Sequence, residues 1–412
     1  MNKKIKVYIF DNNCRGSVYG VGTYIKELRN VLDVAGINYG LINLRTGDDE
    51  VKVSLENGHE IINIPNIKDI TFGSYQYYLR NVAYILKEYV TEENDTKLIF
   101  HLNYMSEPNL VDALKKLFKQ CKIVLTAHYT NWSFSFLGDE EKLGTLLKKS
   151  SKSRTKEEND ILANFRADVK MIKKVDSLVC VAHHTLATLL KYTKIDPNKA
   201  IIISNAVKDE FVPSVDLMSI RKRYKINENE KVVLFVGRLE TVKGVEDLIN
   251  AFKLLLQKYP NTHLFLIGDG DFNNYIKISG DDWSNITFTG KLEKSKVYDF
   301  YHIANVGVVC SLHEEFGLVA VEMMMHQIPI VVSDAGGLDE IVDGSMTLSK
   351  VPVETKDGKR HIAPQLLAEQ IGMMLSDVEI ASNIARNGRN RYLKFYDGKL
   401  FSSKILTLYK NL

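Results

Sequence analysis

The sequence lacks the features that mark several classes of protein. Its charges nearly cancel, with 54 lysines and arginines against 51 aspartates and glutamates and a formal net charge of +3. Nothing in that balance calls for a nucleic-acid partner. No apolar run approaches the ~20 residues of a membrane span, and the first apolar run ends at Phe10, too early for a signal peptide. These absences predict a cytoplasmic protein whose membrane contact is peripheral at most.

Cysteine pairs and hydrolase motifs are also missing. The four cysteines, Cys14, Cys121, Cys180 and Cys310, lie far apart with no CxxC spacing. We interpret them as buried reduced thiols, because they form neither a disulfide framework nor a metal site. The ten histidines include no HExxH motif, and no GxSxG turn is present. Zinc-dependent and Ser-His-Asp hydrolysis therefore have little support.

What the chain does contain is a regular alternation of short strand-like runs and amphipathic helical patterns. This alternation is typical of parallel sheets flanked by helices, and 412 residues suit two domains of about 200 each. Strand-like runs occupy 5–10, 97–103, 122–128, 177–182 and 200–205, and after Pro213 they resume at 231–238, 263–268, 286–290, 306–311 and 328–333. The predicted fold class is α/β, with two Rossmann-like domains that meet near residue 212.

A glycine-bearing turn follows the first strand in the segment DNNCRGSVYGVG, residues 11–22. Gly20 and Gly22 would allow a ligand to approach the backbone and would leave free N–H groups at the start of a helix, which attract anions. A loop that simply requires positive φ explains the same glycines equally well.

The second half opens in the same way, with GRLETVKG (237–244) between a strand and a helix. Arg238 lies at the carboxyl end of the strand, and Lys243 lies at the helix start, where the helix dipole disfavours a cation. Together they could bind a diphosphate, because ligands of open α/β folds bind at the carboxyl ends of strands. The alternative is that both are solvated surface charges.

Two glutamates, Glu314 and Glu322, flank an otherwise apolar segment, SLHEEFGLVAVEMMMHQIPIVVS (311–333). A buried carboxylate needs a cation, a donor or a ligand hydroxyl. The DxD spelled by Asp269-Gly270-Asp271 follows a strand, and we interpret it as a turn that binds no metal.

These motifs occur in a diagnostic order: GRLxxxKG, LIGDG (266–270), FTG (288–290), Glu314-x-Phe316-Gly317-Leu318 with Glu322 eight positions on, and GGLDEIVDG (336–344). The order resembles the C-terminal domain of retaining GT-B glycosyltransferases, specifically glycosyltransferase family 4. GVGTYIKELRNVL, LTAHYT and ISNAV extend the resemblance through the first half. It implies two Rossmann-like domains facing each other across a cleft: an acceptor-side domain of residues 1–212 completed by a C-terminal helix of about 396–412, and a nucleotide-sugar domain of residues 213–395.

The resemblance also implies roles for individual residues. Glu314 would lie beside the donor sugar, and Glu322 would bind the ribose hydroxyls. The remaining donor-site groups would be Gly20, Gly22, Arg238, Lys243, Gly268, Phe316, Gly317 and Leu318. His128 follows an N-domain strand and would face the sugar. The alternative is a structural histidine at a strand end whose ring is hydrogen-bonded by backbone groups. The catalytic set is then His128, Arg238, Lys243 and Glu314.

The activity so implied is transfer of a sugar, with retention, from a UDP- or GDP-linked donor to an acceptor hydroxyl, with neither metal nor cofactor. The acceptor is unknown: a glycan, a lipid-linked glycan, a peptide or a small molecule. Glu315 departs from the glycine usual in the family, and the Lys-x-Gly-Gly-Leu of glycogen and starch synthases is missing. Two alternatives stay open: a sugar-nucleotide 2-epimerase of the same fold, and a non-catalytic nucleotide-sugar-binding subunit.

Overall fold

The structure is a computed structural model that describes residues 4–13, 20–67, 71–342 and 344–412, except for the side chain of Phe72. It divides into two compact units, Met1–Ala206 with Gly398–Leu412, and Val207–Asp397. The division after Ala206 precedes the residue-212 boundary suggested by the sequence. Each unit is a sheet with helices on its faces, and each is described by itself below.

The first unit is built on an eight-stranded sheet in the described part of the chain, in the order β3-β4-β2-β1-β5-β6-β7-β8. Its strands are β1 (Lys4–Asn12), β2 (Asn38–Thr46), β3 (Lys52–Glu56), β4 (His59–Pro65), β5 (Thr96–Leu102), β6 (Lys122–Ala127), β7 (Ser177–Cys180) and β8 (Ala200–Ile202). All neighbours are parallel except β3, which pairs antiparallel with β4. The strand order changes direction between β1 and β5, and this makes a crevice at their carboxyl ends.

Helices cover both faces of this sheet. They are α1 (Gly20–Val34), α2 (Phe72–Tyr89), α3 (Pro108–Leu117), α4 (Asn131–Ser135), α5 (Glu140–Lys148), α6 (Lys156–Lys174), α7 (His183–Thr193) and the last helix of the chain, α16 (Gly398–Asn411). In α1 the buried residues Ile25, Leu28 and Leu32 recur at helical spacing, and Ala35, expected on the same face, lies beyond the helix end and is exposed. Phe401 and Ile405 of α16 belong to the same apolar cluster as α1.

Strands β2, β3 and β4 are absent from the strands inferred from the sequence. β3 and β4 form a hairpin whose turn residues, Asn57 and Gly58, both have positive φ (51° and 84°). Asn-Gly is the most characteristic dipeptide of such turns. Every residue of β3 is exposed, so this strand has no buried face from which it could be predicted.

The second unit contains a six-stranded parallel sheet in the order β11-β10-β9-β12-β13-β14 among its described residues. These strands are β9 (Lys231–Val236), β10 (Thr262–Ile267), β11 (Ile286–Gly290), β12 (Val306–Val309), β13 (Ile330–Ser333) and β14 (Lys350–Val351), and a separate hairpin pairs β15 (Val353–Lys356) with β16 (Lys359–Ile362). The helices are α8 (Leu217–Arg223), α9 (Val245–Lys258), α10 (Phe272–Ser279), α11 (Lys294–Ile303), α12 (Leu318–Met325), α13 (Gly337–Ile341), α14 (Pro364–Ser376) and α15 (Val378–Phe395). The strand order reverses between β9 and β12.

Cys121, Cys180 and Cys310 are buried and form no disulfide with one another, and Cys14 lies outside the described residues. In the described part of the chain, no helix is both long enough and apolar enough to cross a membrane.

Candidate functional site

The inferred binding groups of the second unit gather where its strand order reverses. Arg238 and Lys243 follow β9, and Glu314 follows β12. The two strands are parallel neighbours, with Val233 opposite Val306. Their carboxyl ends therefore meet at one edge of the sheet, which is where open α/β sheets bind ligands.

The two loops at this edge are locked together by backbone contacts. The N–H of Leu312 donates to the carbonyl of Val242 at 2.8 Å. Gly244 has φ of 66°, and a Cβ there would lie 2.0 Å from the carbonyl oxygen of Cys310. Only glycine allows this approach. The loop that carries Lys243 is thereby held against the loop that carries Glu314.

Both candidate phosphate-binding cations have carboxylate partners. Lys243 Nζ lies 2.5 Å from Glu314 Oε2, and both side chains are largely buried, at 17% and 16% exposed. The Ser311 hydroxyl donates to the same carboxylate at 3.2 Å. Arg238 Nη1 lies 2.7 Å from Glu240 Oε2. A ligand anion at this edge would compete with these carboxylates or share the cations with them.

Glu322 lies on α12 in a second network. The Tyr301 hydroxyl donates to Glu322 Oε2 at 3.1 Å, and Lys294 Nζ is 3.9 Å from Oε1. Burial raises the pKa of Glu322, an effect that Lys294 and the tyrosine hydroxyl oppose. An ionised carboxylate has capacity for further donors beyond Tyr301, so it could still accept ligand hydroxyls.

The segment between the glutamates is anchored on α13. The N–H of Gly337 donates to the carbonyl of Glu314 at 2.9 Å. Gly317 is the N-cap of α12, so Leu318 is its first residue and the helix N-terminus opens beside Glu314. Glu315, where the sequence departs from the family pattern, is buried with Oε1 3.4 Å from His313 Nε2.

In the first unit, His128 lies directly after β6. Its Nε2 is 3.2 Å from Asn103 Oδ1, and its ring packs edge-on against Tyr24 at 4.4 Å. Burial, with a smaller contribution from His101, lowers the pKa of His128 to about 3, so its imidazole is neutral at physiological pH.

A buried hydrogen-bonded chain lies behind this histidine. His101 Nε2 is 2.7 Å from the Thr126 hydroxyl, which is 3.0 Å from the Tyr24 hydroxyl, and His101 Nδ1 is 2.5 Å from the hydroxyl of Tyr409 on α16. The C-terminal helix thus takes part in fixing Tyr24, the ring against which His128 packs.

Comparison with known proteins agrees with this architecture. Residues 18–211 match the family described as Glycosyltransferase Family 4, and residues 218–391 match Glycosyl transferases group 1. The two matched ranges occupy the first and second units. The chain belongs to the glycosyltransferases of the GT-B fold, family 4 type.

Individual relatives are distant. The chain is 23% identical over 386 residues to the N-acetyl-alpha-D-glucosaminyl L-malate synthase of Bacillus anthracis, with 88% of this chain and 92% of that protein covered. It is 29% identical over 196 residues to an uncharacterised glycosyltransferase of Methanocaldococcus jannaschii, and this match covers only 47% of this chain and 48% of that relative. The Anabaena protein HepE in complex with UDP and glucose superposes with a TM-score of 0.70 at 17% identity, covering 99% of this chain and 100% of that one.

For the glycines inferred at the donor site of this glycosyltransferase, the structure shows a backbone role. Gly20 and Gly22 lie in the first turn of α1, so neither lies in a loop of positive φ, and residues 14–19 lie outside the described residues. Gly268 follows β10, and a Cβ there would meet the Gly237 carbonyl oxygen at 1.8 Å. Two backbone segments therefore approach closely at Gly268, and glycine has no side chain that could contact a ligand.

In the DxD segment Gly270 forms an isolated bridge with Leu239, and Asp271 caps α10 by accepting from the N–H of Asn274 at 3.3 Å. Within the described ranges, no group of three or more His, Cys, Asp or Glu side chains is placed to hold a metal ion.

Sequence reasoning missed the groups that surround Glu322. Lys294 and Tyr301 belong to the helix KSKVYDFYHI, whose sequence resembles any amphipathic surface helix. Glu240 was overlooked too, although it stands two residues from Arg238 and could have been recognised as its partner.

Proposed function

We propose that this chain transfers a sugar from a UDP- or GDP-linked donor to an acceptor hydroxyl with retention of anomeric configuration. The observation that carries the proposal is the set of groups at the β9–β12 edge: Arg238, Lys243, Glu314 and, on the adjoining helix, Glu322. Two cations, a helix N-terminus and two acceptors for hydroxyl groups match the chemistry of a nucleoside diphosphate sugar.

The difficult step in such a transfer is departure of the nucleoside diphosphate, on which negative charge grows. Arg238 and Lys243 would stabilise that charge, with the N–H groups of Phe316, Gly317 and Leu318 at the start of α12. These fixed groups supply the positive potential, so the proposed reaction requires no metal ion. Glu314 would give up part of its contact with Lys243 and turn to the sugar hydroxyls.

Glu322 would bind the ribose. Its carboxylate would accept two ribose O–H bonds in addition to the bond from Tyr301, while Lys294 favours the ionised form. A charge-assisted hydrogen bond contributes about 1.5–3 kcal/mol, enough to make this residue a main determinant of nucleotide affinity. The complex of HepE with UDP and glucose supports a uridine donor by analogy of fold.

The first unit would hold the acceptor, with His128 beside the reacting sugar. Because its imidazole is neutral, His128 would act as a hydrogen-bonding group and not as a cation. Its contact with Asn103 orients the ring, and Tyr24 supports one edge of it.

The decisive experiment compares Lys243→Ala with Lys258→Ala, a control in the last turn of α9, the helix that follows Lys243. Release of UDP or GDP is measured over a panel of donors, with and without acceptors. We expect Lys243→Ala to lower turnover by roughly two orders of magnitude with its thermal transition retained, because it removes a charge contact made to the leaving group. Equal turnover of the two folded variants would refute the assignment.

The same incubations, run with donor alone, separate the competing activities. A transferase releases nucleotide slowly, a 2-epimerase isomerises the sugar, and a binding subunit leaves the donor unchanged. Proton NMR of the anomeric signals of donor and product reports retention or inversion directly.

A further inference from the structure

A second row of polar side chains lines the carboxyl edge of the first sheet. Asn12 ends β1, Arg45 lies near the end of β2, and Glu107 follows β5. These three strands are parallel neighbours in the order β2-β1-β5, so the side chains share one edge, at the crevice where the strand order changes direction. None of these residues belongs to the inferred donor site.

Arg45 has an unusual backbone and a cationic side chain that forms no ion pair with the described residues. Its φ is 58°, a conformation that residues with side chains adopt rarely and that concentrates at functional positions. The conformation is held by its own N–H, which donates to the Tyr78 hydroxyl at 3.0 Å, and by its carbonyl, which accepts from Asn13 at 3.0 Å. Its guanidinium lies 5.8 Å from the Tyr75 ring centre, its Nε is buried without a hydrogen bond, and no carboxylate among the described residues forms a salt bridge with it.

Glu107, a carboxyl group at the same edge of the sheet, does not neutralise this cation. Glu107 is buried and accepts from the Tyr75 hydroxyl at 2.8 Å. Burial raises the pKa of Glu107 to about 8, and the opposing contributions of Tyr75, Asn12 and Arg45 do not cancel that rise. Near neutral pH Glu107 is therefore mostly protonated, and the cluster keeps the positive charge of Arg45.

Two buried amide oxygens on elements that contact this cluster have no hydrogen-bond partner among the described residues. Asn12 is only 5% exposed, and while its Nδ2 donates to the Tyr75 hydroxyl at 2.8 Å, its Oδ1 has no partner among the described residues. The Oε1 of Gln76 is buried and, within the same described ranges, also lacks a donor, although the Gln76 Nε2 donates to the Ser106 carbonyl at 2.9 Å. Buried acceptors without donors are costly, so a ligand that supplies O–H groups would relieve both.

We propose that Arg45, Asn12 and Gln76 form the acceptor-recognition site, and that the acceptor is a small hydroxylated anion bearing a carboxylate or a phosphate. The proposal rests on the proposed transferase function and adds the chemical class of its acceptor. Arg45 binds the oxyanion through its guanidinium fork, and the two amide oxygens accept acceptor hydroxyls. Glu107 fixes Tyr75 by a hydrogen bond and does not neutralise Arg45, whose positive charge can therefore bind the ligand.

The first test measures anion binding without any transfer reaction. Full-length protein is titrated with inorganic phosphate and with succinate in saturating UDP, which occupies the other cationic site. We expect Arg45→Met to weaken binding of at least one of these anions tenfold or more. Arg80→Met is the matched control, because Arg80 stacks on Tyr77 at 5.7 Å on an exposed face of α2.

Arg45→Gly keeps the test valid if the methionine variant folds poorly. Glycine adopts φ of 58° without strain and retains both backbone hydrogen bonds. The free energy of unfolding of this variant should therefore be at least that of the wild type, while its anion binding is lost. Anion affinity that is equal in the wild type and both Arg45 variants would overturn the proposal. A response to phosphate alone, or to succinate alone, assigns the source of the oxyanion.

The second test uses transfer, with glucose and glucose 6-phosphate, and glycerol and glycerate, as pairs that differ in an anionic group. We expect the anionic member of a pair to be the better acceptor and Arg45→Gly to reduce its kcat/KM at least tenfold with donor affinity unchanged. Preference for neutral acceptors, insensitive to Arg45, would refute the inference while leaving transferase activity intact. If no donor turns over at all, the transferase function fails, and the anion titration still decides the role of Arg45.

Discussion

Replacing Glu314 by Gln should tighten the binding of free UDP while it impairs transfer. Glu314 Oε2 lies 2.5 Å from Lys243 Nζ, and both side chains are largely buried. A diphosphate that recruits Lys243 must compete with this carboxylate and lies near its negative charge. Glutamine keeps the shape of the side chain and removes that charge, so the lysine becomes fully available to the phosphates.

The expected gain in UDP affinity depends on the strength of the contact between Lys243 and Glu314 that the phosphates would replace. A hydrogen bond between charged groups contributes about 1.5–3 kcal/mol, and an ammonium with three donors can serve phosphate and carboxylate together. We therefore expect the lower end of this range, about 1.5 kcal/mol, which corresponds to a roughly tenfold tighter Kd for UDP. Turnover with acceptor should fall by roughly two orders of magnitude, because the glutamine cannot offer the sugar hydroxyls a charged acceptor.

Calorimetric titration with UDP in a double-mutant cycle tests this reasoning. Part of the gain could come from lost repulsion between the carboxylate and the phosphates, which does not involve Lys243. In the Lys243→Ala background Glu314→Gln should then tighten UDP less than it does alone, and the difference measures the competition. Weaker or unchanged UDP affinity of Glu314→Gln, or an equal gain in both backgrounds, would contradict the proposed competition.

Two further substitutions probe the second unit. Burial raises the pKa of Glu322 and the like charge of Glu210 adds to the rise, whereas nearby Lys294 and the hydrogen bond from Tyr301 oppose it. Since the ionised form would bind ribose, UDP affinity should be lost as pH falls through this pKa. Lys294→Met should move that midpoint upward, because it removes the cation that favours the ionised carboxylate, whereas Lys296→Met should leave it in place. A calorimetric pH series in which the two variants match would refute the coupling. Gly244→Ala should destabilise by roughly 3 kcal/mol in urea unfolding, because its Cβ would lie 2.0 Å from a carbonyl oxygen, whereas Gly36→Ala, with similar φ but open space, should cost about 1 kcal/mol; equal losses would show that φ alone matters.

Much of the scaffold could be predicted from local sequence. Central strands such as β1, β9 and β12 are buried on both faces, so each appears as a continuous apolar run between turn residues. The edge strands gave no such signal. β3 has no buried residue, and the β15–β16 hairpin has little buried surface, so the Asn-Gly and Asp-Gly turns were the remaining clues.

The sequence by itself determined which residue types meet at the carboxyl edges, because in a parallel sheet every strand-to-helix turn lies at the same edge. Arg238, Lys243, Glu314 and Glu322 could be selected for that reason. Only the tertiary structure decided their partners. Glu314 lies 71 residues from Lys243 in the chain, and Lys294 reaches Glu322 from another helix. Pairing of charges depends on distances of a few ångströms and on burial, and both are set by how distant segments pack, so no local pattern carries them.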